Sequence, residues 1–386
     1  MRITAIAFAR YRIPFVAPYE TAHGRVTHRV GYVVRALTNA GVEGLGEAAL
    51  DPAAPESASN AIEPHLRALG LQVVQDAVRL DDAMEPYLHG DEAMRAANCA
   101  IETAIADAGS RWAGVPLLTM LSGRDPGTTG VTTVPVNATI AHRRTEEAAA
   151  AALLARASGF GTIKLKVGME SGTPSLSTGT GQGKGFTPEV TRVRTIREVI
   201  GPDMKLRLDA NGAWDEAAAI ETIRALEPFD IELIEQPVAD IESLARVRGA
   251  VTMRIAADES VSDFAGAQRA IYAADVIVLK PMRLGGPTVA RYLAQYANGS
   301  GLDVFVTTTI DTGIGTAMAL QVAAALPDAR LAHGLATTSL LESDLLAASL
   351  RIERGDMRLS DAPGLGVDLD PTAVAKYLGP WTEVHT

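Results

Sequence analysis

The sequence predicts an α/β protein, a parallel (β/α) barrel carried behind a separate α+β domain. Its first fifty residues read as strands, residues 57–123 read as helices, and from about residue 131 short apolar β-type segments alternate with alanine-rich helical ones. Strands followed by helices suggest an independent α+β unit. Strict alternation suggests a parallel barrel.

In chain order, Val33-Val34 and Val42–Gly46 flank the turn Thr38-Asn39-Ala40-Gly41, a hairpin signal. Ala, Leu and Met then recur at helical spacing through Asp91–Trp112, and Gly114-Val115-Pro116 closes that run. The barrel strands are expected at Thr133–Thr139, Thr162–Val167, Lys205–Asp209, Ile231–Glu235, Arg254–Asp258, Val276–Lys280, Asp303–Thr308 and Arg330–His333. Helices are expected between them, among them Thr145–Ala157, Pro188–Val199, Glu216–Leu226 and Gly286–Ala297. A doubly wound open sheet is the competing architecture, but no Gly-x-Gly-x-x-Gly follows an early strand. Glu170–Phe186, rich in Gly, Ser and Thr, reads as a surface loop after the second barrel strand, either a lid or a tolerated insertion. Past Leu346, Ser349–Ile352 is strand-like and the tail is expected to return to the first domain.

Size and composition narrow the function. A chain of 386 residues suits a large barrel plus a smaller domain, and its 47% hydrophobic and 21% charged content is ordinary for a soluble globular protein. The net charge of -11 with no basic stripe argues against nucleic acid as a partner. Cys99 is the sole cysteine, which rules out intrachain disulfides and a zinc–thiolate cluster and reads as inert packing. No apolar run is long enough for a bilayer and the start lacks a signal-peptide core, so no membrane partner and a cytoplasmic location are expected. Self-association into a homo-oligomer is left open.

The informative anomaly is charge at the ends of apolar strands. Asp209 ends LRLDANG, Glu235 ends ELIEQP, Asp258 ends IAADES and Lys280 ends VIVLKP, at spacings of 26, 23 and 22 residues. Each spacing is about one strand–helix repeat, so the groups fall at one level on successive strands. Three crowded carboxylates repel unless a hard cation lies among them, and oxygen-only ligands favour Mg2+. Single residues of this kind would be helix N-caps. Three in register followed by a lysine point instead to a metal site. In Ile163-Lys164-Leu165-Lys166-Val167, the two lysines share one face, and since the outer face of a barrel strand must be apolar they point inward. Desolvation and a nearby cation would lower a lysine pKa toward that of a general base; ion pairing of Lys166 with Asp209 is the alternative. Lys280, across the barrel, would face Lys166 over a small carboxylate substrate. This arrangement suits removal of a proton next to a carboxylate, with the ion stabilising the enediolate.

Taken together, KLKVG, LRLDANGAW, LIEQPV, AADES and IVLKP resemble the enolase superfamily, specifically its muconate lactonizing enzyme subgroup. The resemblance covers nearly the whole chain, including RVGYVVRALTNAGVEGLGEAAL. It implies a (β/α)7β-type TIM barrel with an α+β capping domain, divided as residues 1–125 (cap), 126–345 (barrel) and 346–386 (a segment returning to the cap). It implies Asp209, Glu235 and Asp258 as ligands of Mg2+, or of Mn2+, and Lys166 as the acid/base of the K-x-K motif. Lys164 is then its electrostatic companion and Lys280 the lysine of the opposite face, while Asn211 and Glu259 orient the ligands.

The opening PFVAPYETAHGRVTHRVGYVVR and the later AHGLATTSLLESDL are most similar to the o-succinylbenzoate synthase family, lyases of menaquinone biosynthesis. N-acylamino acid racemases and cycloisomerases use the same core residues and remain the alternative. A dipeptide epimerase would present Asp-x-Asp on the eighth strand, where this chain has Leu331-Ala332-His333-Gly334-Leu335. The seventh strand departs from the subgroup's Ser-Ser-apolar-Glu-Ser. Here it runs Thr308-Thr309-Ile310-Asp311-Thr312, and Gly313 and Gly315 offer backbone N–H groups to a substrate carboxylate. His23, in the loop that closes over the barrel mouth in this family, and His333, at the rim, complete the expected substrate contacts, each set against a purely structural role. Trp214 is weighed between the pocket wall and the core.

Overall fold

The structure, a computed structural model, describes residues 2–21, 24–76, 90–122, 131–168, 187–326 and 330–385. His23 and the Glu170–Phe186 insertion lie outside the described residues.

The chain opens with β1 (Ile3–Thr21), β2 (Gly24–Thr38) and β3 (Glu43–Ala48), all antiparallel. The β2–β3 connection is the Thr38–Gly41 turn. Gly41 takes a φ of +72°, and the Thr38 hydroxyl donates to the Val42 carbonyl at 2.7 Å. Helices α1 (Ile62–Asp76), α2 (Glu92–Ala113) and α3 (Leu117–Ser122) follow. Asp91 caps α2 by accepting the Met94 N–H, and Gly114 ends it in a left-handed conformation. The helix lies directly on β3, where a Cβ on Gly46 would fall 1.9 Å from the Ala100 carbonyl oxygen. Only glycine permits that approach.

The second sheet has seven parallel strands: β5 (Ala138–Ile140), β6 (Thr162–Lys166), β7 (Lys205–Asp209), β8 (Ile231–Glu235), β9 (Ile255–Ala257), β10 (Val276–Leu279) and β11 (Asp303–Val306), in spatial order 11-10-9-8-7-6-5. The helices between successive strands are α4 (Thr145–Ala157), α5 (Pro188–Ile200), α6 (Glu216–Leu226), α7 (Ile241–Ala250), α8 (Phe264–Ala273), the short α9 (Pro281–Leu284), and α10 (Pro287–Gly299). Helix α11 (Gly313–Ala325) follows β11. Leu233, Ala256, Val276, Val278, Phe305 and Leu331 form an apolar cluster of their own, separate from the main core. By the two-residue alternation of a strand they share a face with Glu235, Asp258 and Lys280. The sheet curls, and each edge meets residues 333–334 through one parallel bridge, Val136 with His333 and Thr307 with Gly334.

Three expectations are corrected. The strand expected at Thr133–Thr139 divides into β4 (Thr133–Pro135) and β5, which lie in different sheets. Pro135 has no N–H to continue a ladder. Arg330–His333 forms no strand. Its pairing is confined to His333–Gly334, and the His333 ring itself accepts the Val306 N–H at 2.9 Å. The strand expected at Ser349–Ile352 falls instead at β12 (Ile352–Glu353), in a hairpin with β13 (Asp356–Arg358) that pairs with β4. The tail's return to the first sheet is made by β14 (Thr382–Val384), which runs antiparallel to β1 after α12 (Pro371–Tyr377).

Candidate active site

Strand register builds the site. Lys166 pairs across the ladder with Asp209, and Asp209 with Glu235, so the ends of β6, β7 and β8 stand side by side. Asp258 and Lys280 fall one residue beyond β9 and β10, both of which are shorter than expected. The order along the sheet is therefore Lys166, Asp209, Glu235, Asp258, Lys280.

Each carboxylate meets a lysine. Lys164 Nζ lies 2.9 Å from Asp209 Oδ2 and donates to Glu235 Oε1 at 3.1 Å. Lys166 Nζ donates to Asp209 Oδ2 at 2.7 Å and to Asn211 Oδ1 at 2.6 Å. Asn211 Nδ2 donates onward to Glu259 Oε1 at 2.8 Å. Lys280 Nζ lies 2.6 Å from Asp258 Oδ1 and 2.7 Å from Oδ2. The residues expected as ligands, bases and orienting groups thus gather on neighbouring strands in two bonded sets, Lys164, Lys166, Asp209, Glu235, Asn211 and Glu259 in one and Asp258 with Lys280 in the other. Lys166 makes the ion pair with Asp209 that is the alternative to its role as a base.

Electrostatics follow from burial and pairing. Burial alone would raise the Asp209 pKa, yet Lys164 and Lys166 hold it far below the usual carboxylate range. Glu235 goes the other way, because burial and the charge of Asp209 outweigh Lys164. Burial pushes Lys164 and Lys280 down, but Asp209 and Glu235 around the first, and Asp258 and Glu259 around the second, leave both raised. The lowering expected for the lysines of β6 is therefore reversed at Lys164, since anionic neighbours outweigh desolvation, and Lys280 is raised for the same reason.

Among the described residues, no three carboxylate, imidazole or thiolate side chains are drawn together as a coordination shell. The donor chemistry nonetheless fits a hard divalent cation. Asp209, Glu235 and Asp258 are buried, supply only oxygen and sit on successive strands, and Glu259 Oε2 is buried without a partner.

The expected substrate contacts are placed differently. Thr308 Oγ1 lies 2.7 Å from Thr337 Oγ1, and Thr309 Oγ1 donates to Asp311 Oδ1 at 2.6 Å. Asp311 is buried 3.7 Å from Arg29, and burial and the nearby Glu47 raise its pKa to about 6. The Gly313 N–H donates to the Asp344 carbonyl at 2.8 Å, and the Gly315 N–H to Glu47 Oε2 at 2.8 Å. Both amides expected for a substrate carboxylate are engaged by the chain itself. His333 is fully buried, and burial and Arg207 lower its pKa to about 3. It is a neutral imidazole bound to the Val306 N–H. Trp214 is buried in the core, as is Cys99.

Several organising residues are absent from the sequence-level reading. Gln236, at a φ of +41°, accepts the N–H groups of Asp258 and Ser260 at 3.0 and 3.2 Å and donates to the Val238 carbonyl at 2.8 Å, shaping the turn that carries Asp258. Its signal was a polar residue between the strand-end Glu235 and Pro237. Glu47 accepts the Tyr11 hydroxyl at 2.6 Å, the Thr312 hydroxyl at 2.6 Å and the Thr312 N–H at 3.0 Å, besides Gly315. Arg29 donates to the Ile310 carbonyl at 2.9 Å. Nothing local marks either residue.

Comparison with known proteins gives consistent relatives. Residues 3–122 match the family described as mandelate racemase / muconate lactonizing enzyme, N-terminal domain, and residues 146–373 match the one described as enolase C-terminal domain-like. An o-succinylbenzoate synthase of Thermobifida fusca (strain YX) is 37% identical over 66% of this chain and 78% of its own. An L-Ala-D/L-Glu epimerase of Bacillus subtilis (strain 168) is 29% identical over 95% of this chain and 97% of its own. A muconate lactonizing enzyme from Pseudomonas fluorescens, solved with muconolactone, superposes with a TM-score of 0.85 at 27% identity, covering 98% of this chain and 99% of that one.

Proposed function

Because the chain belongs to the enolase superfamily, in its muconate lactonizing enzyme subgroup, and is an enzyme of lyase or isomerase chemistry, we propose that it removes the proton α to a carboxylate and dehydrates 2-succinyl-6-hydroxy-2,4-cyclohexadiene-1-carboxylate to o-succinylbenzoate, a step of menaquinone biosynthesis. The observation that carries this reading is the row of site groups. Lysines stand at both ends, Lys166 on Asp209 and Lys280 on Asp258, with Glu235 on the strand between.

Asp209, Glu235 and Asp258 would hold the divalent ion, Mg2+ or Mn2+. When bound, it supplies positive charge that stabilises the developing enediolate. Lys166 takes the α-proton as the C–H bond breaks. The enediolate then expels the hydroxyl from the adjacent carbon, and the proton on Lys166 goes to that oxygen, which leaves as water. Lys164 and Lys280 stay protonated beside the developing negative charge. Asn211, held between Lys166 and Glu259, orients the base.

We likewise propose that the curled sheet closes through the bridges at His333 and Gly334, in place of a full eighth strand, as a (β/α)7β-type barrel, capped by residues 1–125, with 346–386 returning to the cap. The 37% identity to a synthase favours the lyase. The epimerase relative, aligned along almost the whole chain, favours a second reading, an isomerase in which Lys166 and Lys280 act as bases on opposite faces of one α-carbon, as in an N-acylamino acid racemase.

The test is dehydration of that cyclohexadiene carboxylate, followed by ultraviolet absorbance with Mg2+ present. Turnover at enzymatic rates supports the lyase. A folded, Mg2+-loaded protein that fails to turn it over, yet exchanges deuterium into N-acylamino acids, moves the assignment to the racemase.

A further inference from the structure

Strand β5 ends at Ile140, while its neighbour β6 runs on to Lys166. The Val167 N–H pairs with the Asp209 carbonyl on the β7 side at 2.9 Å. Backbone groups of successive strand residues face opposite neighbours, so the Lys166 carbonyl points toward β5, where the ladder has stopped. A buried guanidinium fills that gap. Arg192, on α5, is 6% exposed; its Nη1 donates to the Lys166 carbonyl at 2.7 Å, and its Nη2 donates to the His142 carbonyl just beyond β5. Glu189, one turn earlier on α5, lies 3.3 Å from Arg192 Nη1 and accepts the Gly168 N–H at 3.2 Å. Val190, Val193 and Ile196 of the same helix are buried in the core, so α5 is a fixed base for this brace.

We propose that Arg192, steadied by Glu189, is a positioning residue for Lys166: it supplies the hydrogen bonds that β5 cannot and so fixes the backbone from which the proposed base projects. Among the described residues Lys280 has no such tie to α5. Its turn is held from α2, where Asn98 Nδ2 donates to the Gly285 carbonyl at 2.6 Å and Arg95 Nε to the Arg283 carbonyl at 2.7 Å. The two lysines are therefore braced separately, and loosening one leaves the other in place. A displacement of ~1 Å at a reacting group costs on the order of 100-fold in rate.

The inference rests on the reading of Lys166 and Lys280 as groups on opposite faces of the substrate, and two measurements keep the two apart. The first is α-proton exchange with D2O for each enantiomer of N-acetylphenylalanine, using the full chain loaded with Mg2+, in wild type, Arg192→Lys and Arg192→Met. Arg192→Met is expected to slow exchange at the Lys166 face by roughly 10-fold or more and leave the Lys280 face within about twofold. Arg192→Lys, which can reach only one of the two carbonyls, falls between. The second needs no turnover: trace labelling with acetic anhydride, read by mass spectrometry at Lys166 and Lys280.

Arg192→Met should change the labelling of Lys166 relative to Lys280, and Arg192→Lys should change it less. If Arg192→Met does not fold, Arg192→Lys carries both comparisons. Equal effects on both lysines, or none on either, in a folded variant overturn the proposal. Absence of exchange in the wild type would sink only the two-base racemase reading and leave the lyase standing, while the labelling ratio would still decide the role of Arg192.

Discussion

The carboxylate of Glu47, at the end of an amino-terminal strand, accepts the N–H of Gly315 at 2.8 Å and so caps the helix that follows the seventh strand of the parallel sheet. The same carboxylate takes the Tyr11 hydroxyl and both donors of Thr312. Four buried donors depend on one side chain. Losing a partner for a buried polar group costs ~1–3 kcal/mol. Glu47→Ala should therefore lower the unfolding free energy by about 4 kcal/mol or more in urea denaturation, and Tyr11→Phe by about 1 kcal/mol. An unchanged midpoint for Glu47→Ala would remove it as a keystone between the two sheets.

Divalent metal should stabilise the fold through the strand-end carboxylates. A ligand that binds only the folded state at about 100 times its dissociation constant adds ~2.7 kcal/mol. Mg2+ should raise the wild-type Tm, and chelator should reverse the effect. Glu235→Gln and Asp209→Asn should respond little or not at all. A variant melting curve that responds to Mg2+ as the wild type does would place the ion elsewhere.

Glu102, on the helix packed against the amino-terminal sheet, accepts the Thr288 N–H at 2.9 Å, and burial raises its pKa from the ordinary 4.5 to about 7. A carboxyl whose folded pKa is raised gives stability that is fully present below its unfolded pKa and is lost as pH rises through the folded value. The window is thus pH 4.5 to 7. Every tenfold change in proton affinity between the folded and unfolded chain is worth ~1.4 kcal/mol. Between pH 5 and pH 8 the wild type should lose on the order of 2–3 kcal/mol that Glu102→Gln retains, because other titrating groups cancel in the difference. Parallel pH profiles for the two proteins would contradict this.

His333 gives the opposite sign. Its pKa falls from 6.5 to about 3, so its contribution is present above pH 6.5 and lost as pH drops through the folded value. The imidazole NMR signals of His333 should stay constant from pH 8 to pH 5. A midpoint near 6.5 would mean that the ring is hydrated and available at the rim.

What was legible in the sequence was periodic. Asp209, Glu235, Asp258 and Lys280 stand out because charge terminates apolar strands at a repeating interval, and that interval is the repeat of the fold. Alternation puts Lys164 and Lys166 on one face, and the apolar outer face of a barrel strand turns both inward. The partnerships across long sequence separations were not legible. Gly313 and Gly315 looked like open amides, yet Asp344 and Glu47 occupy them, and Glu47 lies 268 residues from Gly315. No local pattern says which buried acid meets which N–H. His333 looked like a rim group because Arg330–His333 read as a full strand. In the structure only two residues pair, and the ring takes part in the sheet's own hydrogen bonding.

The central claim is that Lys166 abstracts a proton with the help of a divalent ion. The most direct test is the dehydration assay run on wild type with Mg2+, on wild type with chelator, and on Lys166→Ala with Mg2+. The account predicts rapid turnover in the first and a loss of at least ~1,000-fold in the other two, the scale on which general-base and charge-stabilising groups act. Turnover by Lys166→Ala at a rate near that of the wild type, with the protein folded and Mg2+ bound, would contradict it.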